Sequence, residues 1–152
     1  MINSKILKTI EYIFTDLNNN NINSALVGTC NLAIQDLEVR PRDIDIVVEY
    51  HNLEQIQKIF EQYVTQGIEK LPFLTDKPAW DLKLNINNLE VQILGEENDG
   101  KYVSKLLSNR TIIKKHSKVE IKCFSLDAEA DAYDETHRPQ KARFIREYLS
   151  ND

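Results

Sequence analysis

The sequence has little of several features that would place a protein in a specialised class. It contains only two cysteines, Cys30 and Cys123, which are far apart and lack the spacing of metal ligands. We therefore expect neither a disulfide framework nor a zinc site, and a reducing cytoplasm fits this composition. No run of about 18 apolar residues is present that could cross a membrane. The N-terminal apolar stretch lacks the small-residue cleavage site of a signal peptide.

An excess of positive charge is also missing. The 19 Lys and Arg residues are outnumbered by 24 Asp and Glu residues, which gives a formal net charge of −5. We therefore expect no overall attraction to nucleic acid. The remaining composition is that of a globular protein, with 41% hydrophobic and 28% charged residues. Its length suits a single domain over residues 1–152, with a core over about 5–124 and C-terminal helices over about 125–150.

Hydrophobic periodicity predicts an α/β domain with a mixed sheet flanked by helices and a helical C-terminal tail. Asn52, with Gln55 three residues later, is predicted to cap one helix, and Ser125 another. Residues 66–78 are predicted to form a loop, whereas residues 95–110 are too polar to assign. Helices are predicted over 3–18, 29–37, 52–64, 126–136 and 139–149, and strands over 24–28, 43–49, 80–86, 89–94 and 119–124.

The dipeptide Asn87-Asn88 separates two segments in which apolar and polar residues alternate. Because asparagine tolerates the positive φ angles of a tight turn, this pattern predicts a β-hairpin. A hairpin closed at this dipeptide places Gln92 opposite Lys83. It also turns Glu90 and Gln92 away from the core.

The most informative segment is Asp43-Ile44-Asp45, at the start of a predicted strand. Side chains two residues apart share one face of a strand, so these carboxylates repel each other unless a cation neutralises them. Mg²⁺ suits such a pair, because it commonly binds one or two carboxylates together with substrate phosphates. Gly28 would let the backbone approach a phosphate closely, and the helix beginning near Thr29 would direct N–H groups toward it.

Glu90 is a candidate third acid, which would complete a three-carboxylate, two-metal cluster. Basic residues that could hold a triphosphate lie nearby: Arg40 and Arg42 precede the acids, and Lys83 shares the face of Glu90. Taken singly, each feature also fits an ordinary solvated surface. Their order along the chain favours a site, since a glycine turn, a helix, paired acids and a hairpin acid follow one another.

This order resembles the nucleotidyltransferase superfamily, the DNA polymerase beta-like enzymes. The pattern reads Val27-Gly28-Thr29, thirteen further residues, Asp43-Ile44-Asp45 and then Glu90. More closely, the chain looks like the small antibiotic nucleotidyltransferases of the lincosamide and aminoglycoside type. Segments that fall in the expected order over roughly residues 5–137 are 42–46, 82–83, 89–91, 99–100 and 121–125.

The resemblance implies a nucleotidyltransferase-like mixed sheet. It also implies Mg²⁺-dependent transfer of a nucleoside monophosphate from an NTP to a hydroxyl of a small acceptor, for example an antibiotic. The residues it implies are Asp43, Asp45 and Glu90 as catalytic metal ligands, with Gly28 and Thr29 at the nucleotide phosphates. Arg42 and Lys83 are the further candidates for nucleotide binding.

The sequence departs from the family pattern at two places. Thr29 stands where Gly or Ser is usual, and Gln92 stands where a histidine can follow the third acid. No general base is evident, and Asp81 is better explained as an acid at a strand edge than as a base. The default interpretation of the basic residues of the last helix is a solvated face; these are Arg138, Lys141, Arg143 and Arg146.

Two other functions remain open from the sequence. One is a minimal nucleotidyltransferase-like antitoxin that acts on a toxin partner. The other is a catalytically inactive binding module that keeps the fold. A homodimer is also open, because small transferases of this kind often build the acceptor cleft between two copies.

Overall fold

The computed structural model describes residues 2–71, 78–97 and 103–151. Within these ranges, seven strands form one mixed sheet flanked by helices, which confirms the predicted fold class. The helices are α1 (Ser4–Asn19), α2 (Gly28–Ile34), α3 (Leu53–Ile59), α4 (Val103–Asn109), α5 (Leu126–Glu135) and α6 (Pro139–Ser150). The strands are β1 (Ser24–Val27), β2 (Ile44–Glu49), β3 (Val64–Leu71), β4 (Ala79–Ile86), β5 (Leu89–Glu96), β6 (Thr111–His116) and β7 (Val119–Phe124).

The strands lie in the order β3-β4-β5-β2-β1-β7-β6. β2 is parallel to β5 and antiparallel to β1, and β1 is parallel to β7. Strand β2 is therefore central, and its beginning lies beside the end of β1. As a result, Asp45 pairs with Val27 on one side and with Gln92 on the other.

Alternation along β2 divides its side chains between the two faces of the sheet. Ile44 and Ile46 belong to the larger apolar core, together with the apolar face of α1. Val47 belongs to a second apolar cluster that includes Ala128 of α5. Because Asp45 shares the face of Val47, its carboxylate lies on the side of the sheet that α5 covers.

The predicted hairpin is confirmed in both turn and register. Asn87 and Asn88 have φ angles of 56° and 64°, the left-handed values that a tight two-residue turn requires. Gln92 lies opposite Lys83, as the alternation predicts, so Glu90 and Gln92 share one face of the sheet.

Two strands were not anticipated, and both lie at the edges of the sheet. β3 begins at Val64, so the predicted loop is wrong over 66–71; residues 72–77, like Asp99 and Gly100, lie outside the described residues. β6 follows the segment that was too polar to assign. Edge strands rich in polar and charged residues discourage pairing with other chains. The same composition removes the apolar alternation by which strands are predicted from a sequence.

The helix predictions differ mainly at their ends. Ser125 caps α5 as predicted, because its Oγ accepts the N–H of Ala128 at 3.1 Å. Asn52 makes no side-chain capping bond, since a short 3₁₀ turn over Tyr50–Asn52 leads directly into α3. That helix also ends at Ile59 rather than near Val64, where β3 begins. No helix in the described ranges combines the length and apolarity needed to cross a membrane.

Candidate active site

The site begins at the junction of β1 and α2. Gly28 has a φ of +72°, a left-handed conformation that other residues adopt only with strain. A Cβ atom at this position would lie 3.0 Å from Oδ2 of Asp45 on the adjacent strand. Glycine is therefore required here by both the backbone angle and the close approach of a carboxylate.

The three predicted acids lie at the same end of β2 and β5. Asp45 is half-buried, whereas Asp43 and Glu90 are exposed. Glu90 precedes Val91, which pairs with Ile44, so the parallel register brings Glu90 to the level of Asp43. The thiol of Cys30 also donates a hydrogen bond to the backbone carbonyl of Asp43 at 3.1 Å, which anchors the segment before β2.

The pKa of Asp45 reflects the proximity of the other two acids. Burial raises its pKa from 3.8 to about 6, and the negative charges of Asp43 and Glu90 add to the increase. Arg138 and Lys141 act in the opposite direction and lower the pKa. The carboxylates are thus close enough to repel each other. Among the described residues, however, no three His, Cys, Asp or Glu side chains already form a group that could hold a metal ion.

Asp45 lies in the wall of a cavity of about 310 Å³ between the sheet and the C-terminal helices. Gly28 and Thr29 form one side of this cavity, and Gln92 belongs to its lining. A second cavity, of about 210 Å³, adjoins it at Thr29 and Asp45. Its remaining lining residues are Arg40, Arg42 and Asp43.

Two cations at the beginning of α6 face this site, which the default interpretation of a solvated helix did not anticipate. Arg138 immediately precedes the helix and Lys141 lies in its first turn; both line the larger cavity. The Lys141 Nζ also lies 5.4 Å from the centre of the Tyr133 ring. Arg146 instead bonds Asp131 and Asp134 of α5, at 2.9 and 2.7 Å. The available signal was their position, because both lie at the start of the predicted last helix, on either side of Pro139 and Gln140.

A buried acid, Glu129 of α5, also lines the larger cavity and was missed by the sequence analysis. Its Oε1 accepts the backbone N–H of Gly28 at 2.7 Å and the side-chain N–H of Asn31 at 3.0 Å. Burial raises its pKa from 4.5 to about 7, while these two hydrogen bonds act to lower it. The signal in the sequence was a glutamate among alanines, since Ala128, Ala130 and Ala132 of the same helix are buried.

The remaining candidates lie farther from Asp45. Asp81 is buried and accepts hydrogen bonds from Gln66 at 3.1 Å and from Gln92 at 2.9 Å. Lys83 lies on β4, opposite Gln92, and so stands two strands away from Asp45. Two strand spacings amount to roughly 10 Å, and neither Asp81 nor Lys83 lines either cavity.

A profile of the aminoglycoside-2''-adenylyltransferase family matches residues 9–144, which is most of the chain. The chain belongs to this family. The resemblance to nucleotidyltransferases of the aminoglycoside type is thereby confirmed. Comparison with curated protein sequences gives no significant match.

Solved structures share the fold of this adenylyltransferase-family chain. One is a Thermotoga maritima protein proposed to be a nucleotidyltransferase. It is 23% identical, the match covers 100% of this chain and 97% of the other, and the TM-score is 0.79. The antibiotic-resistance factor ANT(2'')-Ia matches in a crystal structure with adenylyl-2''-tobramycin, with 13% identity, 96% and 90% coverage and a TM-score of 0.61. Its solution structure gives 12% identity, 97% and 86% coverage and a TM-score of 0.60.

The donor set of this family member suits magnesium. Asp43, Asp45 and Glu90 offer carboxylate oxygens, the ligand type that this ion prefers. Their mutual repulsion, recorded in the pKa of Asp45, is the condition that a bound cation relieves. Because Mg²⁺ usually completes its coordination with water and substrate phosphates, a ready-made cage of three protein ligands is not required.

Proposed function

We propose that this protein is a Mg²⁺-dependent nucleotidyltransferase that moves a nucleoside monophosphate from an NTP to a hydroxyl of a small molecule. One observation carries the proposal: Asp45, whose pKa is raised in part by the charges of Asp43 and Glu90, lines a cavity together with two cations and a glycine turn. Membership of the aminoglycoside-2''-adenylyltransferase family supports it and makes ATP and aminoglycoside-like antibiotics the first substrates to test.

The residues divide into two groups by charge. Asp43, Asp45 and Glu90 would hold Mg²⁺, which supplies electrostatic stabilisation of the reacting phosphate and activation of the attacking hydroxyl. Arg138 and Lys141 would bind the phosphates of the nucleotide, because both line the cavity that contains Asp45.

The remaining candidates would shape the path of the nucleotide. Gly28 would let the phosphates approach the backbone, and the hydroxyl of Thr29 can donate a hydrogen bond to one of them. Arg42 would act from the smaller cavity, where it lies with Thr29 and Asp43. We expect Lys83 to contribute less, because it lies two strands away from Asp45.

The proposed reaction is an in-line displacement at the α-phosphorus. The acceptor hydroxyl gives up its proton to solvent, and its oxygen forms a bond to this phosphorus as the bond to the bridging oxygen breaks and pyrophosphate leaves. Arg138 and Lys141 would offset the charge that develops on the leaving pyrophosphate. The turn at Gly28 and the carboxylate face would hold the two substrates in line, which converts an encounter into an oriented reaction.

The first experiment compares the melting temperature of the wild type and of Asp45→Asn with Mg²⁺ and each of ATP, GTP, CTP and UTP. A ligand that binds only the folded state raises the melting temperature by mass action. We expect a Mg²⁺-dependent increase for at least one nucleotide in the wild type and its loss in Asp45→Asn.

The matched control is Glu120→Gln, which removes an exposed acid near the start of β7. It should respond to nucleotide as the wild type does. No increase with any nucleotide in the wild type would reject the proposed activity and favour a binding module that acts through a protein partner.

A further inference from the structure

Glu129 is a fully buried carboxyl group to which the proposed reaction gives no role. Its exposed fraction is 1%, and it lies on α5 between the buried residues Ala128 and Ala130. Burial of a carboxylate is unfavourable unless hydrogen bonds or charges compensate it. The hydrogen-bond partners of Glu129 therefore indicate its role in the protein.

Both hydrogen bonds that the structure gives to the side chain of Glu129 come from the first turn of α2. Its Oε1 accepts the Gly28 N–H at 2.7 Å and the Asn31 side-chain N–H at 3.0 Å. Asn31 also donates to the Phe124 carbonyl at 3.0 Å, at the end of β7. Gln35 extends the network, with its amide nitrogen 2.6 Å from Oδ1 of Asn31 and 2.9 Å from the same carbonyl.

The network fixes the turn at Gly28, which has an unusual backbone conformation. Gly28 has a left-handed φ of +72° and passes so close to Asp45 that a Cβ would meet its carboxylate at 3.0 Å. The hydrogen bond from Gly28 to Glu129 fixes this turn to α5, which lies 101 residues away in the sequence. Thr29, which lines the cavity, directly follows Gly28 and so is held by the same bond.

We propose that Glu129 is a positioning residue, which holds the Gly28–Thr29 turn beside Asp45 by accepting the Gly28 N–H and thereby sets the affinity for the nucleotide phosphates. This inference rests on the proposed function, because the phosphates are those of the NTP. Glu129 is not assigned any contact with the reacting atoms.

We expect the hydrogen bond, rather than the negative charge of Glu129, to hold the turn. The charged and titratable groups that face Glu129 are Asp45 of β2, Lys141 of α6, Tyr133 of α5 and Cys123 of β7. Asp45 raises and Lys141 lowers the pKa of Glu129, so the nearest charges oppose each other. A neutral side chain that keeps the acceptor oxygen should therefore preserve the turn.

Two conservative substitutions at Glu129 separate the effect of the hydrogen bond from the effect of the negative charge. Glu129→Gln keeps an oxygen within reach of the Gly28 N–H but removes the charge. Glu129→Asp keeps the charge but shortens the side chain by one carbon–carbon bond, about 1.5 Å, which takes the oxygen out of hydrogen-bond range. Ile10→Val, a mild truncation in the core under α1, controls for a general loss of stability.

Nucleotide affinity is measured by calorimetric titration of the folded proteins with Mg²⁺ and ATP, GTP, CTP or UTP, whichever binds the wild type most tightly. The amide resonance of Gly28 in a ¹H–¹⁵N spectrum of the free protein reports the hydrogen bond without any ligand. We expect Glu129→Gln and Ile10→Val to bind within about threefold of the wild type. Glu129→Asp should bind at least tenfold more weakly and should shift the Gly28 amide.

Equal affinity of Glu129→Asp and the wild type would overturn the inference. A loss in Glu129→Gln as large as that in Glu129→Asp would overturn it too, because the charge would then be the active feature. If the wild type binds none of the four nucleotides, the proposed function fails and the inference fails with it. Binding by the wild type that is unchanged in Glu129→Asp rejects the inference alone.

Discussion

Gly28 and Asp45 are placed by the antiparallel pairing of β1 with β2, in which Val27 lies directly beside Asp45. The next residue must therefore turn the chain within contact distance of a carboxylate, which leaves little room for a side chain. At the scale of the residue, the glycine thus combines two requirements that are often separate, a left-handed φ and a close approach. Substituting alanine for Gly28 is consequently a sharp test of the site.

Gly28→Ala should destabilise the protein by about 1–2 kcal/mol through the left-handed backbone alone. The contact of the new methyl group with Oδ2 of Asp45 at 3.0 Å should add to this and reduce Mg²⁺-nucleotide binding. Urea denaturation and nucleotide titration measure the two effects.

Gly67→Ala on β3 is the matched control, because its Cβ would meet only the side-chain nitrogen of Gln57, at 4.0 Å. We expect its stability to change by less than about 0.5 kcal/mol, as for an ordinary surface substitution. A comparable loss in both variants would mean that the strain at Gly28 is not what makes glycine necessary.

At the scale of the element, α6 shows how one helix can divide its charges between two tasks. Arg146 pairs with Asp131 and Asp134 and so ties α6 to α5. Arg138 and Lys141, at the other end of the helix, line the cavity that contains Asp45. The same basic composition therefore serves both packing and the candidate site.

The variant Arg138→Gln/Lys141→Gln should fold normally, because both side chains are exposed. It should bind Mg²⁺-nucleotide at least tenfold more weakly, since a hydrogen bond from a charged group contributes about 1.5–3 kcal/mol. Calorimetric titration at low and high salt measures this loss, which should shrink as salt screens the wild-type interaction.

Arg143→Gln removes a cation from the same helix but away from this cavity, so it should retain the wild-type affinity. Equal weakening in Arg143→Gln would indicate that α6 attracts the nucleotide through its overall charge, and not through two placed side chains.

The elements also show which parts of the fold were predictable. The register of the hairpin at Asn87 and Asn88 followed from local turn chemistry, and β2 followed from strict alternation. β3 and β6 were not predicted, because edge strands are selected for polarity more than for apolar alternation. For the candidate site, the proximity of Asp43, Asp45 and Glu90 was predictable from the sequence because it depends on two neighbouring strands. Glu129 was marked only by its alanine neighbours, since its contact with Gly28 depends on the packing of α5 against α2.

At the scale of the whole molecule, the buried acids make folding depend on pH. Burial raises the pKa of Asp45 from 3.8 to about 6 and that of Glu129 from 4.5 to about 7. A carboxyl group with a raised pKa in the folded state stabilises the protein while it is protonated in both states, and this stabilisation is lost as pH rises through the folded-state pKa. Asp131, whose pKa is lowered by Arg110 and Arg146, acts only at more acidic pH.

We therefore expect the free energy of unfolding to fall as pH rises from about 5 to about 8, in the absence of metal and nucleotide. Each raised pKa corresponds to about 3 kcal/mol over the whole range from the unfolded-state to the folded-state pKa. Part of this is already lost at pH 5, because the carboxyl groups of the unfolded chain ionise at their ordinary pKa values of 3.8 and 4.5. Because the charge of Asp45 contributes to the raised pKa of Glu129, the total fall should be smaller than the sum. Urea denaturation at pH 5 and pH 8 measures it. Asp45→Asn and Glu129→Gln should each flatten the dependence, whereas Glu120→Gln should not.

Magnesium and nucleotide should reverse part of this dependence. A cation held by Asp45 favours its ionised form, so the ligand should stabilise the protein more at pH 8 than at pH 5. The experiment therefore tests the candidate site through the stability of the whole molecule, without knowledge of the acceptor. A fall with pH that is identical with and without Mg²⁺-nucleotide would mean that the ligand does not bind at Asp45, whatever its effect on the melting temperature.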